Sequence, residues 1–192
     1  LVGSEMCIRD RYNINPIIDS DDQAYYEFIY AKYLYVFAYK FENDVFYQAK
    51  VHCAKASNLL IASKNSLHDD IDILYAILLR YEGKLNDSVE LLKKVLDNQL
   101  KHLVPDKTCQ TALELGAIYR ELTRFDDAMT VYEKIENTCS LSAYWNARLK
   151  LNTGIILKNR LQLRISEGNV SFSDYENYKK TCLLYTSPSP RD

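Results

Sequence analysis

The sequence predicts an all-α protein, and three observations carry this prediction. The 192-residue chain contains only 5 glycines and 4 prolines, fewer turn residues than a many-stranded β fold needs. Apolar residues recur at spacings of three and four, as in Val89, Leu92 and Leu96, which is typical of amphipathic helices. The strict alternation of apolar and polar residues that marks a half-buried strand is not sustained anywhere in the sequence.

The composition also excludes several classes of function. Hydrophobic residues make up 47% and charged residues 26%, with a formal charge of -2, so a globular chain is expected rather than a disordered or collagen-like one. A charge this close to zero gives no reason to expect nucleic acid or an anionic membrane as the main partner. The most apolar stretch, 25–41, carries Glu27, Lys32 and Lys40, and no membrane span is expected.

The two ends of the chain resemble translated sequencing-adapter DNA. Residues 1–10 back-translate to a DNA string whose reverse complement, shifted by one base, encodes residues 182–191 over ten consecutive codons. This inverted pair resembles the transposon-end adapter used to prepare sequencing libraries. We therefore expect residues 1–11 and 182–192 to be adapter-derived, and residues 12–181 to be a natural fragment whose own termini are missing.

Eight helices are expected in the fragment, and start signals support three of them. Ser20 with Gln23, Ser66 with Asp69 and Ser171 with Asp174 are spaced so that a hydroxyl can cap a free backbone N–H while the second side chain lies in the first turn. The expected helices are 21–41, 44–63, 68–82, 85–101, 106–122, 125–137, 141–165 and 171–180. Short links make neighbours antiparallel, giving four hairpins: 21–63, 68–101, 106–137 and 141–180.

The chain also contains an internal repeat. Residues 72–89 align without a gap with residues 112–129, forty positions later, and the match continues from Leu92 and Val95 to Tyr132 and Ile135. Spacings of thirty-nine upstream and thirty-eight downstream make the repeat irregular. Repeats of this length indicate stacked helical hairpins.

The best-matched repeat resembles the tetratricopeptide repeat. The matching positions are Leu115, Gly116, Tyr119, Phe125, Ala128, Tyr132 and Ile135. A weaker copy is formed by Ala76, Leu79, Gly83, Leu85, Ser88, Leu92 and Val95. This resemblance implies an α-solenoid of about three to four hairpins in a right-handed superhelix, although another antiparallel helical array remains an alternative. The period near forty departs from the family's thirty-four, and we expect the link at 98–107 to lengthen the second helix or to insert a turn.

The resemblance further implies a concave groove lined by the first helix of each hairpin. The family's ligand-facing positions carry Leu34, Ala38, Ile73, Ile77, Leu113, Ala117, Leu151 and Ile155, with Arg80, Arg120, Arg148 and Lys158 on the flank. The asparagines and lysines with which chaperone-tail binders of this family clamp a carboxylate are absent. The groove is thus expected to have an apolar floor and a basic edge, suited to an amphipathic helix or an apolar peptide with acidic flanks. Another helix of the same chain is the alternative occupant.

Catalytic and metal-binding patterns are not found in the sequence. Cys53, Cys109 and Cys139 form no C-x-x-C pair, and Cys53 is expected to be buried and inert. The histidines His52, His68 and His102 are scattered, with surface or capping roles expected, and the acidic runs at 69–72 and 126–127 suit first helical turns. Neither an enzymatic activity nor a cofactor is expected.

Two functions remain open at this point. The favoured one is a non-catalytic scaffold that binds a protein or peptide, and the alternative is the peptide-sensing or dimerising half of a larger regulator or enzyme. An odd number of natural cysteines favours a reducing, cytoplasmic compartment. Self-association is compatible with either function.

Overall fold

The structure, a computed structural model, describes residues 19–38, 43–60, 67–102 and 104–186. Within these ranges the regular structure is entirely α-helical, which confirms the prediction of an all-α protein. The helices are α1 (Ser20–Ala38), α2 (Asn43–Leu59), α3 (Leu67–Tyr81), α4 (Leu85–His102), α5 (Pro105–Glu121), α6 (Phe125–Thr138), α7 (Ala143–Ser166) and α8 (Phe172–Thr186). The predicted ends of the first two helices, at 41 and 63, lie outside the described residues. Residues 1–11 and 187–192 of the expected adapter segments also lie outside them.

The chain divides into two compact units, Leu1–Leu78 and Leu79–Asp192, with the boundary inside α3. In the first unit, α1 packs along α2. Small side chains line this contact, since Ala24, Ala31, Ala49 and Ala56 are fully buried and allow the two helices to approach closely. The larger core residues that fill the remaining space are Phe28, Leu34, Cys53, Leu60, Leu67, Ile71, Leu74 and Leu78.

In the second unit each helix contacts its neighbours in sequence, from α4 through α8, and α5 also contacts α7. The core is built from the positions that carry the repeat pattern. Those positions are buried at Leu115, Tyr119, Phe125, Ala128, Tyr132 and Ile135 in one copy and at Leu79, Ser88, Leu92 and Val95 in the other. The two copies of the sequence pattern therefore share buried positions.

Three turns in this unit share one backbone geometry. Gly83 and Gly168 have φ values of 77° and 71°, and the non-glycine residue Thr123 has a φ of 57°. The residue after each of them donates its N–H to the carbonyl five positions earlier: Lys84 to Leu79 at 3.0 Å, Arg124 to Tyr119 at 2.8 Å and Asn169 to Arg164 at 2.9 Å. A left-handed residue followed by a hydrogen bond of this kind, back to a carbonyl of the last helical turn, is a common way for a helix to end. Glycine suits positions 83 and 168 because it adopts a positive φ without steric cost.

The predicted helix starts have different outcomes. At α8, Asp174 N–H donates to Ser171 Oγ at 3.3 Å and Ser171 N–H donates to an Asp174 carboxylate oxygen at 3.2 Å, a reciprocal capping box. At α1 the prediction was shifted by one residue, because Gln23 N–H donates to the Asp19 carbonyl and Ser20 is already helical. The predicted cap at Ser66 lies outside the described residues.

The longer repeat period has a visible cause. Helix α4 has 18 residues, whereas α6, its counterpart forty positions later, has 14. The expected lengthening of the second helix is thus observed. Pro105 then occupies the first turn of α5, where its missing N–H costs no helical hydrogen bond.

Candidate functional site

Helix α7 is apolar on two opposite sides, and this makes it the centre of the candidate site. One side is buried in the second unit through Leu149, Ile156 and Leu157. On the opposite side Leu151 is 53% exposed, although it is as large and apolar as the buried residues. A surface helix usually has one apolar side that faces the core and a polar side that faces solvent. Packing of the second unit therefore does not explain the second apolar side of α7.

The exposed side of α7 forms a continuous line along the helix, which we call the α7 stripe. Its members follow one another at spacings of four and three, so they lie on one helical face. They are Tyr144, Arg148, Leu151, Ile155 and Lys158. Four of the five were predicted groove positions. Tyr144, 61% exposed, was missed, although its position one turn before Arg148 was the signal that could have identified it.

Arg148 is held by aromatic rings at the start of the α7 stripe. Its guanidinium lies 5.7 Å from the ring centroid of Tyr144 and 5.2 Å from that of Trp145. It also donates a hydrogen bond to Tyr144 Oη at 3.2 Å. Stacking of this kind orders the side chain while its charge stays accessible. The stripe therefore offers a fixed cation between two apolar contacts.

Helix α5, which contacts α7, carries the next predicted positions. Ala117 is half-buried and available at the surface, but Leu113 is only 7% exposed and adds little contact area. Between them on the helix, Glu114 faces two arginines. Burial raises the pKa of the Glu114 carboxyl, while the charges of Arg80 and Arg148 act in the opposite direction.

Arg80, predicted for a basic edge, is instead neutralised within the second unit. Its Nε donates to Glu121 Oε1 at 2.8 Å, and its Nη1 lies 3.8 Å from Glu114 Oε2. Partners that lie 34 and 41 positions away in sequence cannot be inferred from local spacing. The expected basic edge is therefore corrected to a mixed one, in which Arg148 and Lys158 supply positive charge and Glu114 and Glu121 supply negative charge.

Arg120, the remaining flank residue of α5, is half-buried. Burial raises the pKa of the Tyr132 phenol, and the positive charge of Arg120 lowers it. The charge of Arg120 is therefore felt by a buried group of α6 as well as at the surface.

The predicted positions of the first unit are mostly buried. Leu34, 8% exposed, belongs to the core of that unit, and Ile73 is 7% exposed, so the expectation that they form an open groove floor is corrected. Ile77 is half-buried. The side chain of Ala38 lies outside the described part of the structure.

The cysteines and histidines have structural surroundings. Cys53 is buried as predicted, and burial raises the pKa of its thiol to about 12. His68 Nε2 is 2.8 Å from the carbonyl oxygen of Leu60. His52 departs from the surface role expected for it, because its Nδ1 pairs with the Glu27 carboxylate and its ring lies edge-on to Tyr30 with centroids 4.6 Å apart.

Acidic residues also have structural roles where they were predicted to. Asp69 and Asp70 lie in the first turn of α3, and Asp126 and Asp127 lie in the first turn of α6. Negative charge at these positions interacts favourably with the helix dipole.

A polar cleft of about 670 Å³ lies between α6, α7 and α8 on another side of the second unit. Arg160 crosses it and donates to Asp126 Oδ1 at 2.8 Å. Its walls include Met129, Glu133, Leu157 and Lys180. Its charged lining groups include the carboxylates of Asp126, Glu133 and Glu136 and the cations of Arg160 and Lys180.

Metal sites and membrane spans are two further features that the described residues do not provide. Among the described residues, no three His, Cys, Asp or Glu side chains are grouped as metal ligands. In the same part of the chain, none of the helices combines the length and apolarity needed to cross a bilayer.

Comparison of the chain with protein-family models, curated proteins and solved structures gives no match.

Proposed function

We propose that this protein is a non-catalytic interaction module whose second unit binds an amphipathic helix or an apolar peptide along α5 and α7. The observation that carries the proposal is the second apolar side of α7. A stripe that combines Tyr144, Leu151 and Ile155 with the stacked cation of Arg148 has the composition of a protein-binding surface rather than of an inert exterior.

The energetics are compatible with reversible binding. Burying about 400 Å² of apolar surface contributes roughly 10 kcal/mol at about 25 cal/mol per Å². Loss of translational and rotational freedom offsets much of this gain. A dissociation constant in the micromolar range is expected, with acidic residues of the ligand placed near Arg148 and Lys158.

The arrangement of the repeats is part of the same proposal. Buried repeat positions in α3–α4 and α5–α6, together with the shared turn geometry, support a tetratricopeptide-like stack. In such a stack the first helices of successive hairpins lie side by side, so α5 and α7 contribute to one inner wall. We place the ligand on that wall.

Peptide selection tests this function directly. A display library of random peptides about four helical turns long is selected on the immobilised chain, and enriched peptides are synthesised and measured by fluorescence anisotropy. Peptides with apolar anchors and acidic flanks are expected. Leu151→Glu and Ala117→Glu should weaken their binding at least tenfold, because each places a charge in the apolar contact.

A matched control separates the site from general damage. Leu163→Glu makes the same kind of change at another exposed position of α7 and should leave peptide affinity and helicity unchanged. Absence of enriched peptides, or equal affinity for the wild-type protein and Leu151→Glu, would eliminate the proposed site.

A further inference from the structure

A second exposed apolar line lies on α1, in the first unit. The core of that unit is contacted by Ala24, Phe28 and Ala31. Tyr25 and Ile29 each follow one of these core residues by one position, which places them about 100° further around the same helix. Tyr25 is 52% exposed and Ile29 is 41% exposed, so apolar side chains continue from the core face of α1 onto a second, exposed face.

Charged residues flank this exposed pair in a definite order. Asp22 lies one turn before Tyr25, and Lys32 lies one turn after Ile29, and both charged side chains are exposed. The spacing of three, four and three keeps all four residues on one helical face. We call Asp22, Tyr25, Ile29 and Lys32 the α1 stripe.

The order of the α1 stripe is self-complementary. It begins with a negative charge, continues with two apolar residues and ends with a positive charge. When a second copy of the same helix is laid antiparallel against it, each Asp22 meets a Lys32 and each Tyr25 meets an Ile29. A parallel copy would instead bring like charges together.

We propose that the α1 stripe is a homodimer interface, in which two copies of this chain pair their α1 helices antiparallel about a two-fold axis. Such an interface is isologous, because the same four residues serve both copies. The two Asp22–Lys32 pairs select the partner and the orientation, while Tyr25 and Ile29 supply the apolar contact. This interface is independent of the peptide site proposed on the second unit.

Neighbouring side chains extend the contact along the helix and to one side of the stripe. Val36, 55% exposed, continues the line by one turn, and Tyr26 and Phe37 are 42% and 46% exposed beside it. The ring of Phe37 lies 4.5 Å from that of Tyr33, which anchors it on the helix. A single helix pair remains smaller than a standard interface, so the dimer is weak, with a dissociation constant in the micromolar range.

Charge exchange tests the pairing. Asp22→Lys places two lysines in the stripe and Lys32→Asp places two aspartates there, so each variant alone should sediment as a monomer at concentrations where the wild-type protein dimerises. An equimolar mixture of the two should form a heterodimer, because opposite charges then meet at both ends. The double variant Asp22→Lys/Lys32→Asp should dimerise again.

The controls use the same measurement, sedimentation velocity over a dilution series. Lys55→Asp makes the same charge change at an exposed position of α2 and should dimerise like the wild-type protein. Ile29→Glu should abolish dimers of an otherwise folded chain, checked by circular dichroism. A wild-type protein that stays monomeric, or single variants that dimerise normally, would overturn the proposal, and a monomeric result would assign the stripe to a different partner.

Discussion

Gly116 in α5 lies directly against the ring of Tyr132 in α6. A Cβ atom built on Gly116 would be 2.0 Å from Tyr132 Oη and 2.4 Å from Cζ, distances that non-bonded atoms do not adopt. The two helices of this hairpin therefore approach as closely as the absence of a side chain permits. Gly116 and Tyr132 both belong to the repeat pattern, so this close contact is made by two of its positions.

Substitution of Gly116 tests that contact. Alanine in place of a helical glycine normally stabilises by about 1 kcal/mol, but overpacking costs about 1–3 kcal/mol or more. Because the clash involves a buried ring, we expect Gly116→Ala to lower the free energy of unfolding by about 2 kcal/mol, measured by urea denaturation. In a Tyr132→Leu background the same change should become neutral or stabilising, and an equal loss in both backgrounds would show that the ring is not the cause.

Thr123 occupies a turn position at which the two equivalent turns have glycine. A β-branched residue with a positive φ is strained by about 1–2 kcal/mol. Thr123→Gly is therefore expected to raise the free energy of unfolding by about 1 kcal/mol, the strain relieved less the entropy cost of glycine. The control Thr130→Gly, inside α6, should instead lower it by about 0.5 kcal/mol. Equal signs for the two variants would contradict this account.

Asp174 links stability to acid pH. Hydrogen bonds from Ser171 and Arg164 lower the pKa of its carboxyl from 3.8 to about 2. A depressed pKa stabilises the folded state above the unfolded value, and this contribution disappears as the pH falls from about 4 to about 2. Asp174→Asn should therefore be less stable than the wild-type protein at neutral pH, with the difference shrinking over that window. Denaturation at a series of pH values measures it, and a pH-independent difference would refute the linkage.

Glu114 should show the opposite sign. Because burial raises its pKa above the ordinary 4.5, the folded state favours the protonated form, and stability is lost as the pH rises through the folded value. Glu114→Gln is therefore expected to gain stability relative to the wild-type protein as the pH increases from about 4.5. Glu133→Gln, at an exposed position of α6, controls for the loss of one negative charge. A difference that falls with pH would contradict the assignment.

The fold was predictable because its causes are local. Spacings of three and four placed the helices, and Leu115, Tyr119 and Tyr132, which match the tetratricopeptide pattern, are buried in the structure. The two left-handed glycines were also identifiable, since few other residues adopt positive φ at no cost. Thr123 shows the limit of that inference, because a turn required by its neighbours imposes the conformation on a residue that does not favour it.

The candidate site was less predictable because it depends on contacts between distant residues. Periodicity showed that α1 and α7 are apolar, but it could not decide which apolar side the neighbouring helices would cover. Leu34 and Leu113 were consequently expected in a groove and are buried, while Tyr144 was overlooked. The pairing of Arg80 with Glu121 bridges 41 positions of sequence, and only the packing of the helices brings these groups together.

The buried thiols give each unit its own reporter of opening. Cys53 lies in the first unit and Cys109 in the second, and burial raises their pKa values to about 12 and about 11. Alkylating reagents attack thiolates, so both side chains are protected until their surroundings open to solvent. Labelling followed by site-resolved mass spectrometry would therefore time the opening of the two units separately in one sample, using only cysteines that the chain already has.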